Sequence, residues 1–194
     1  MNFLSFMVYC IIVTFTPGPS NIMILSTVHN YGKNRAIEFV IGASIGFSIM
    51  IGISAVLNTF LVAVVPKIIG IMQIIGSLYM LYLAYKIYHM DVKSAENSKV
   101  VSVKFGFIMQ LINPKVILFT MTVIPSFVLP YYNAWPQILG FALLISAIGC
   151  AAFLSWVAFG MLIQKHLEKH RKLANTLMSL FLVYSAIMVS GILS

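Results

Sequence analysis

Six long apolar stretches, separated by short polar segments, make up almost all of the 194-residue chain. Each is close to the roughly 20 residues that an α-helix needs to cross a bilayer. The pattern predicts an all-α membrane protein with six transmembrane helices, at 2–27, 36–60, 66–88, 105–129, 137–162 and 174–193. Little sequence remains outside these helices, so residues 1–194 are predicted to form a single polytopic membrane domain.

The first stretch is broken by the motif Pro17-Gly18-Pro19. Proline has no backbone N–H, so Pro17 and Pro19 leave the carbonyls of Val13 and Phe15 without their helical partners. The half-helix that begins beyond the break has free N–H groups and a partial positive charge, which suit a substrate carboxylate. The freed carbonyls could receive the substrate's ammonium group. The alternative is a plain structural kink, in which the hydroxyls of neighbouring threonines satisfy the carbonyls.

The fourth stretch contains a second break, Asn113-Pro114-Lys115, where Pro114 frees the carbonyl of Gln110. Lys115 lies about 15 Å from the predicted cytoplasmic end of this helix, close to mid-depth. A lysine there costs roughly 2.5–3.5 kcal/mol unless it is paired or hydrated. The four acidic residues all lie near predicted cytoplasmic ends: Glu38, Asp91, Glu96 and Glu168. A buried cation that lacks an internal partner indicates that its partner is the cargo.

The longest polar segment, 90–104, divides the six helices into half one (1–89) and half two (105–194). Three helices per half force opposite orientations on the two halves, and the first helix of each half is broken. This is the pattern of two inverted three-helix repeats with a substrate site between them. The predicted substrate-binding residues are those of the two breaks and their flanks: Pro17, Gly18, Pro19, Ser20, Asn21, Asn113, Pro114 and Lys115.

The distribution of basic residues predicts the orientation in the membrane. The composition, 61% apolar and 8% charged, excludes a soluble domain. Of the 12 lysines and arginines, Lys115 lies inside a helix, only Lys67 lies in an even-numbered loop, and the rest lie in or beside the odd loops. The positive-inside rule therefore places the odd loops in the cytoplasm and both termini outside. The net charge of +8 needs no nucleic-acid partner to explain it.

Small and polar residues inside the helices have packing explanations. Gly42 and Gly46 have the spacing that lets two helices approach closely, either as a static packing seam, as the face of a homo-oligomer, or as a sliding surface. For Gln110, hydrogen bonding between helices is as good an explanation as contact with cargo.

Few other residues of the sequence are candidates for proton coupling, redox chemistry or metal binding. If transport is coupled to protons, Lys115 is the available carrier, since burial penalises its charged form, and Glu38 is a weaker candidate. Cys10 and Cys150 leave a membrane thiol–disulfide carrier as an alternative function, although neither adjoins a proline motif. A metal-ion exporter is a further alternative, but the helices lack clusters of suitable ligands. No phosphate loop, metal spacing or nucleophile–base pair is present, so neither a cofactor nor an enzymatic activity is predicted.

The chain resembles the lysine exporter (LysE-type) superfamily of amino-acid efflux proteins along essentially its whole length. The motifs that carry the resemblance are Pro17-Gly18-Pro19, the run from Gly76 to Lys86, Phe105-Gly106 and Asn113-Pro114-Lys115. Two segments, 16–21 and 127–130, look most like the cysteine and O-acetylserine exporter branch, with homoserine/threonine exporters next. The resemblance implies export of a small amino acid or derivative across the bacterial inner membrane, driven by the proton gradient.

Overall fold

The computed structural model of the protein is helical throughout the parts of the chain that it describes, which are residues 1–89 and 102–190, with backbone only at 58–70, 72, 166, 168 and 189. Most of the predicted cytoplasmic segment 90–104 lies outside the described residues. The helices are α1 (Phe3–Phe15), α2 (Pro19–Tyr88), α3 (Val103–Ile112), α4 (Pro114–Val123), α5 (Trp135–Lys169) and α6 (Arg171–Val189), with a π-helical turn at Ile124–Val128 after α4.

Helix α2 contains two breaks that divide it into three segments, 19–31, 33–56 and 58–88. Gly32 has φ 80° and ψ 176°, in a region that favours glycine, and Leu57 has φ −103° and ψ 22°. We predicted a loop between residues 27 and 36, but these residues are helical except at Gly32. A single glycine thus takes the place of the predicted loop.

Both predicted proline breaks are present in the backbone. Helix α1 ends at Phe15, and α2 begins at Pro19 after a three-residue gap. Asn113 separates α3 from α4, and the two halves of that pair are bent by 65°. Pro19 and Pro114 each occupy the first turn of the helix they begin, where the missing N–H removes no helical hydrogen bond.

Two single helices of the described chain are long and apolar enough to cross a membrane, Pro19–Leu57 and Trp135–Lys165. The bent pair Val103–Ile112 and Pro114–Val128 provides a third span if it crosses as one unit. Phe3–Phe15 is apolar but shorter. The protein is therefore an all-helical membrane protein in the parts described.

Glycines bring the middle segment of α2 against α3 at backbone distance. A Cβ atom added to Gly42 would collide with the carbonyl of Val103, and one added to Gly106 would collide with the carbonyl of Phe39. At Gly46 the added Cβ would lie 2.9 Å from the carbonyl oxygen of Phe107. In this conformation the small residues of the second apolar stretch form a tight packing seam within the chain.

Candidate functional site

The two proline breaks meet, and Lys115 joins them. Asn113 caps α4, its Oδ1 atom accepting the N–H of Lys115 at 3.0 Å. The Lys115 side chain crosses to the first break, where Nζ donates to the carbonyl oxygen of Thr16 at 2.8 Å and lies 3.3 Å from Thr16 Oγ1. A Cβ on Gly18 would lie 2.9 Å from Lys115 Cδ and 3.1 Å from Nζ. Glycine at position 18 therefore leaves the space that the lysine occupies.

A buried polar network links the same two breaks beside Lys115. Ser20 Oγ accepts hydrogen bonds from Gln110 Nε2 at 3.0 Å and from Asn113 Nδ2 at 2.8 Å. All three side chains are buried, Gln110 completely. The network ties the end of α3 to the start of α2, so Gln110 acts as a hydrogen-bonding bridge between helices in this conformation.

The carbonyls that we expected the breaks to free already accept hydrogen bonds. Thr16 Oγ1 lies 3.1 Å from the carbonyl oxygen of Val13 and also reaches that of Ile12. The Trp156 indole N–H, from α5, donates to the carbonyl of Phe15 at 3.1 Å. At the second break, the N–H of Asn113 donates to the carbonyl of Gln110 at 3.3 Å. The expectation that the breaks leave these carbonyls unpaired is therefore corrected, because side chains and a tightened helical turn donate to them. Each carbonyl oxygen has a second lone pair, and its contact with the substrate's ammonium group stays a prediction.

Asn21 provides a different acceptor. Its Nδ2 atom donates to the carbonyl oxygens of Thr14 at 3.0 Å and of Thr16 at 2.9 Å. Because two carbonyls require the NH₂ group, the orientation of the amide is fixed, and Oδ1 points away from them. Among the described residues Oδ1 has no hydrogen-bond partner, although the side chain is 97% buried (3% exposed). A buried acceptor of this kind costs about 1–3 kcal/mol when left unsatisfied.

A small cavity lies where the breaks meet. Its polar side is formed by Thr14, Gly18, Ser20, Asn21, Asn113 and Lys115, and its apolar side by Val13, Phe47, Val116, Phe119, Gly149 and Phe153. About 30 Å³ is open to the centre of a water molecule, which is room for roughly two or three waters.

The structure separates the predicted site residues into two groups. Gly18, Ser20, Asn21, Asn113 and Lys115 line the cavity. The prolines Pro17, Pro19 and Pro114 shape it through the backbone without lining it. The aromatic and glycine residues of the apolar side were not among the predicted site residues.

Glu38, the weaker candidate for proton coupling, lies outside the cavity. Its carboxylate pairs with Arg35 at 2.8 Å, with the two side chains 40% and 50% exposed, and it does not line the cavity. Glu38 is the only acidic residue whose side chain the structure describes. Lys115 accordingly has dipolar partners and no carboxylate partner in the described chain.

The two cysteines are free thiols and neither lines the cavity: Cys10 is buried in α1, and Cys150 lies partly buried in α5. In the portion that the structure covers, no group of three or more histidine, cysteine or acidic side chains is arranged to hold a metal ion. Neither the thiol–disulfide carrier nor the metal-ion exporter gains support from this geometry.

Comparisons with a family model and with individual proteins agree with each other. A family model described as LysE type translocator matches residues 11–190. The chain is 32% identical over 187 residues to the cysteine/O-acetylserine efflux protein of Salmonella typhimurium, with 95% of each chain covered. It is 30% identical over 186 residues to the Escherichia coli protein of the same name, again over 95% of each chain. No solved structure matches the chain.

Proposed function

The chain belongs to the LysE type translocator family, and from that premise we propose that it is a secondary transporter that exports a small amino acid or derivative across the bacterial cytoplasmic membrane. The relatives named as cysteine/O-acetylserine efflux proteins make cysteine and O-acetylserine the first substrates to test, followed by homoserine and threonine. Six transmembrane helices in two inverted halves, with both termini outside, form the proposed architecture.

The directions of neighbouring segments support this architecture. In the proposed topology the first and fifth spans both run inward, the second and fourth both run outward, and the third and sixth run in opposite directions. The contacts agree with these directions. The first and fifth spans are parallel, since Phe6 contacts Phe141 and Phe15 contacts Trp156, and so are the second and fourth, since Gly42 contacts Val103 and Ser54 contacts Thr120. The third and sixth spans are antiparallel, since Ser77 contacts Ala186 and Ala84 contacts Ser179.

The same contacts are compatible with a twofold relation between the halves. If half one and half two are exchanged, the first, second and third spans take the places of the fourth, fifth and sixth, and the reverse. The contact between the first and fifth spans then becomes the contact between the fourth and second. Both of these contacts are parallel. The contact between the third and sixth spans maps onto itself and is antiparallel, as a twofold axis in the membrane plane requires.

The observation that carries the proposal is the pairing of Lys115 with the unsatisfied Oδ1 atom of Asn21 at one cavity. The carbonyl oxygen of Thr16 accepts hydrogen bonds from both side chains, at 2.8 Å and 2.9 Å, so they lie side by side. A zwitterionic amino acid needs one cation and one acceptor in that arrangement. We assign the substrate carboxylate to Lys115 and the start of the half-helix after Pro19, and the substrate ammonium group to Asn21 Oδ1.

In the proposed mechanism the two halves move against each other, so that the cavity opens to one side of the membrane at a time. The bonds from Lys115 to Thr16 and from Asn113 to Ser20 connect the halves and have to rearrange when substrate enters. For proton coupling, Lys115 is the proposed carrier, because it is the cation of the cavity. Efflux by Lys115→Arg that is as fast and as pH-sensitive as the wild type's would count against this titrating role.

The test is efflux from proteoliposomes loaded with labelled cysteine or O-acetylserine. Wild-type protein is expected to release the label faster than protein-free liposomes. Lys115→Ala should lose at least about 90% of that rate, since a charged hydrogen bond to the substrate is worth about 1.5–3 kcal/mol. Lys104→Ala, which removes an exposed lysine at the start of α3, is the matched control and should keep its activity. Unchanged efflux by Lys115→Ala would remove this lysine from the mechanism.

A further inference from the structure

Phe47, on the apolar side of the cavity, is held by contacts with two other rings. Its ring lies parallel to that of Phe119, with centroids 5.9 Å apart and an interplanar angle of 13°. It meets the Phe153 ring edge-on, at 6.1 Å and 80°. The side chain is buried at 3% exposure. Contacts with two other rings hold it in one orientation at the cavity.

Gly149 of α5 makes this position of Phe47 possible. A Cβ atom at position 149 would collide with Cε1 of the Phe47 ring and would lie 2.7 Å from Cδ1 and 3.1 Å from Cζ. Any larger residue at 149 therefore forces the ring to move. Gly140, in the same helix, has no atom within 4 Å of an added Cβ. A collision with a neighbouring ring is therefore not a general property of the glycines in α5.

We propose that Phe47, seated against Gly149, is the specificity-determining residue of the transporter and closes the subsite that receives the substrate's side chain. This assignment rests on the proposed function. Lys115 and Asn21 take the charged groups common to all amino acids, which leaves the substrate's side chain to the apolar residues that line the same cavity. The Phe47 ring then limits the length of side chain that the open cavity accepts.

The chemistry of the lining defines what this subsite takes. Lys115 is the only charged residue among those lining the cavity, and it is assigned to the carboxylate. The rings of Phe119 and Phe153 contact Phe47, and the side chains of Val13 and Val116 line the same cavity. Such a subsite favours an uncharged side chain and disfavours one carrying a second charge, because a charge there has no partner.

The experiment measures ratios of efflux rates from proteoliposomes, because a ratio does not depend on the amount of folded protein. Cysteine, O-acetylserine, methionine and leucine are loaded separately. Phe47→Leu shortens the wall and should raise the ratio of leucine to cysteine efflux by about tenfold or more, the discrimination that one or two methylene groups provide. Gly149→Ala should push the ring into the cavity and lower the ratio of O-acetylserine to cysteine efflux.

Two further variants separate the subsite from general packing effects. Gly140→Ala makes the same substitution in the same helix and should leave every ratio unchanged. Adding Phe47→Leu to Gly149→Ala removes the ring that the new methyl group strikes, and it should restore O-acetylserine efflux.

Unchanged ratios in Phe47→Leu, or a Gly149→Ala profile equal to that of Gly140→Ala, would overturn the assignment while leaving amino-acid export intact. Wild-type protein that releases none of the four amino acids would instead overturn the proposed function itself, and the assignment with it.

Discussion

Replacing Gly18 with alanine tests whether the two breaks touch as the structure places them. The backbone at Gly18 is extended, with φ −165° and ψ 177°, and alanine adopts these angles without strain. The new methyl group would lie 2.9 Å from Lys115 Cδ and 3.1 Å from Nζ. The end of the lysine side chain must therefore shift, which disturbs its hydrogen bonds to Thr16.

The expected change in the free energy of unfolding is the difference between two opposing effects. The hydrogen bonds of a charged group contribute about 1.5–3 kcal/mol, whereas glycine-to-alanine exchange stabilises by about 0.4–1 kcal/mol through the unfolded chain. Gly18→Ala is therefore expected to lower the free energy of unfolding by about 1 kcal/mol. In a Lys115→Ala background the clash is absent, and the same exchange should stabilise by about 0.4–1 kcal/mol.

The assay is denaturant unfolding of the four proteins of this double-mutant cycle in mixed micelles. The two substitutions should show a coupling energy of about 2 kcal/mol, within the range for residues in contact. Additive effects, with Gly18→Ala equally costly in both backgrounds, would refute the contact between Gly18 and Lys115 and with it the meeting of the two breaks.

Two further substitutions test the packing around the site. Gly106→Ala places a methyl group against the carbonyl of Phe39 and should lower the unfolding free energy by about 1–3 kcal/mol, whereas Gly52→Ala, with nothing within 4 Å, should not lower it. Equal effects in unfolding assays would contradict the tight seam. Ser20→Ala removes the acceptor of both Gln110 and Asn113 and should cost about 1–3 kcal/mol. Its control is Ser155→Ala, whose hydroxyl bonds only within its own helix, and an equally stable Ser20→Ala would argue against the network.

The breaks could be predicted from the sequence because their cause is local. Proline lacks an N–H wherever it stands, so both proline motifs were expected to break their helices, and new helices do begin at Pro19 and Pro114. Lys115 stood out because no acidic residue lies at a comparable depth in the sequence. These inferences need no knowledge of which helices are neighbours.

The contacts across the chain could not be predicted in the same way. The donor to the carbonyl of Phe15 is Trp156, which is 141 residues away, and only the packing of α5 against α1 brings the two together. Phe47 in a sequence cannot be distinguished from a phenylalanine that faces lipid. Gly149 is one small residue among several in its helix, and its role depends on the ring that packs against it.

The start of the predicted second span could not be located from the composition of the sequence either. The polar run around Lys33 and Arg35 predicts a loop, yet only Gly32 departs from helical angles. Polar residues at the cytoplasmic end of a membrane helix are solvated whether the backbone is helical or not, so composition alone does not locate the end.

Equilibrium binding is the most direct test of whether Lys115 receives the carboxylate of an amino acid. Purified wild-type protein is titrated with cysteine and with cysteine methyl ester, which differ in the charge of the carboxyl group. Wild type is predicted to prefer the free acid by about tenfold or more, since a charged hydrogen bond is at stake, and Lys115→Ala to bind both equally. A preference for the free acid that persists undiminished in Lys115→Ala would contradict this role.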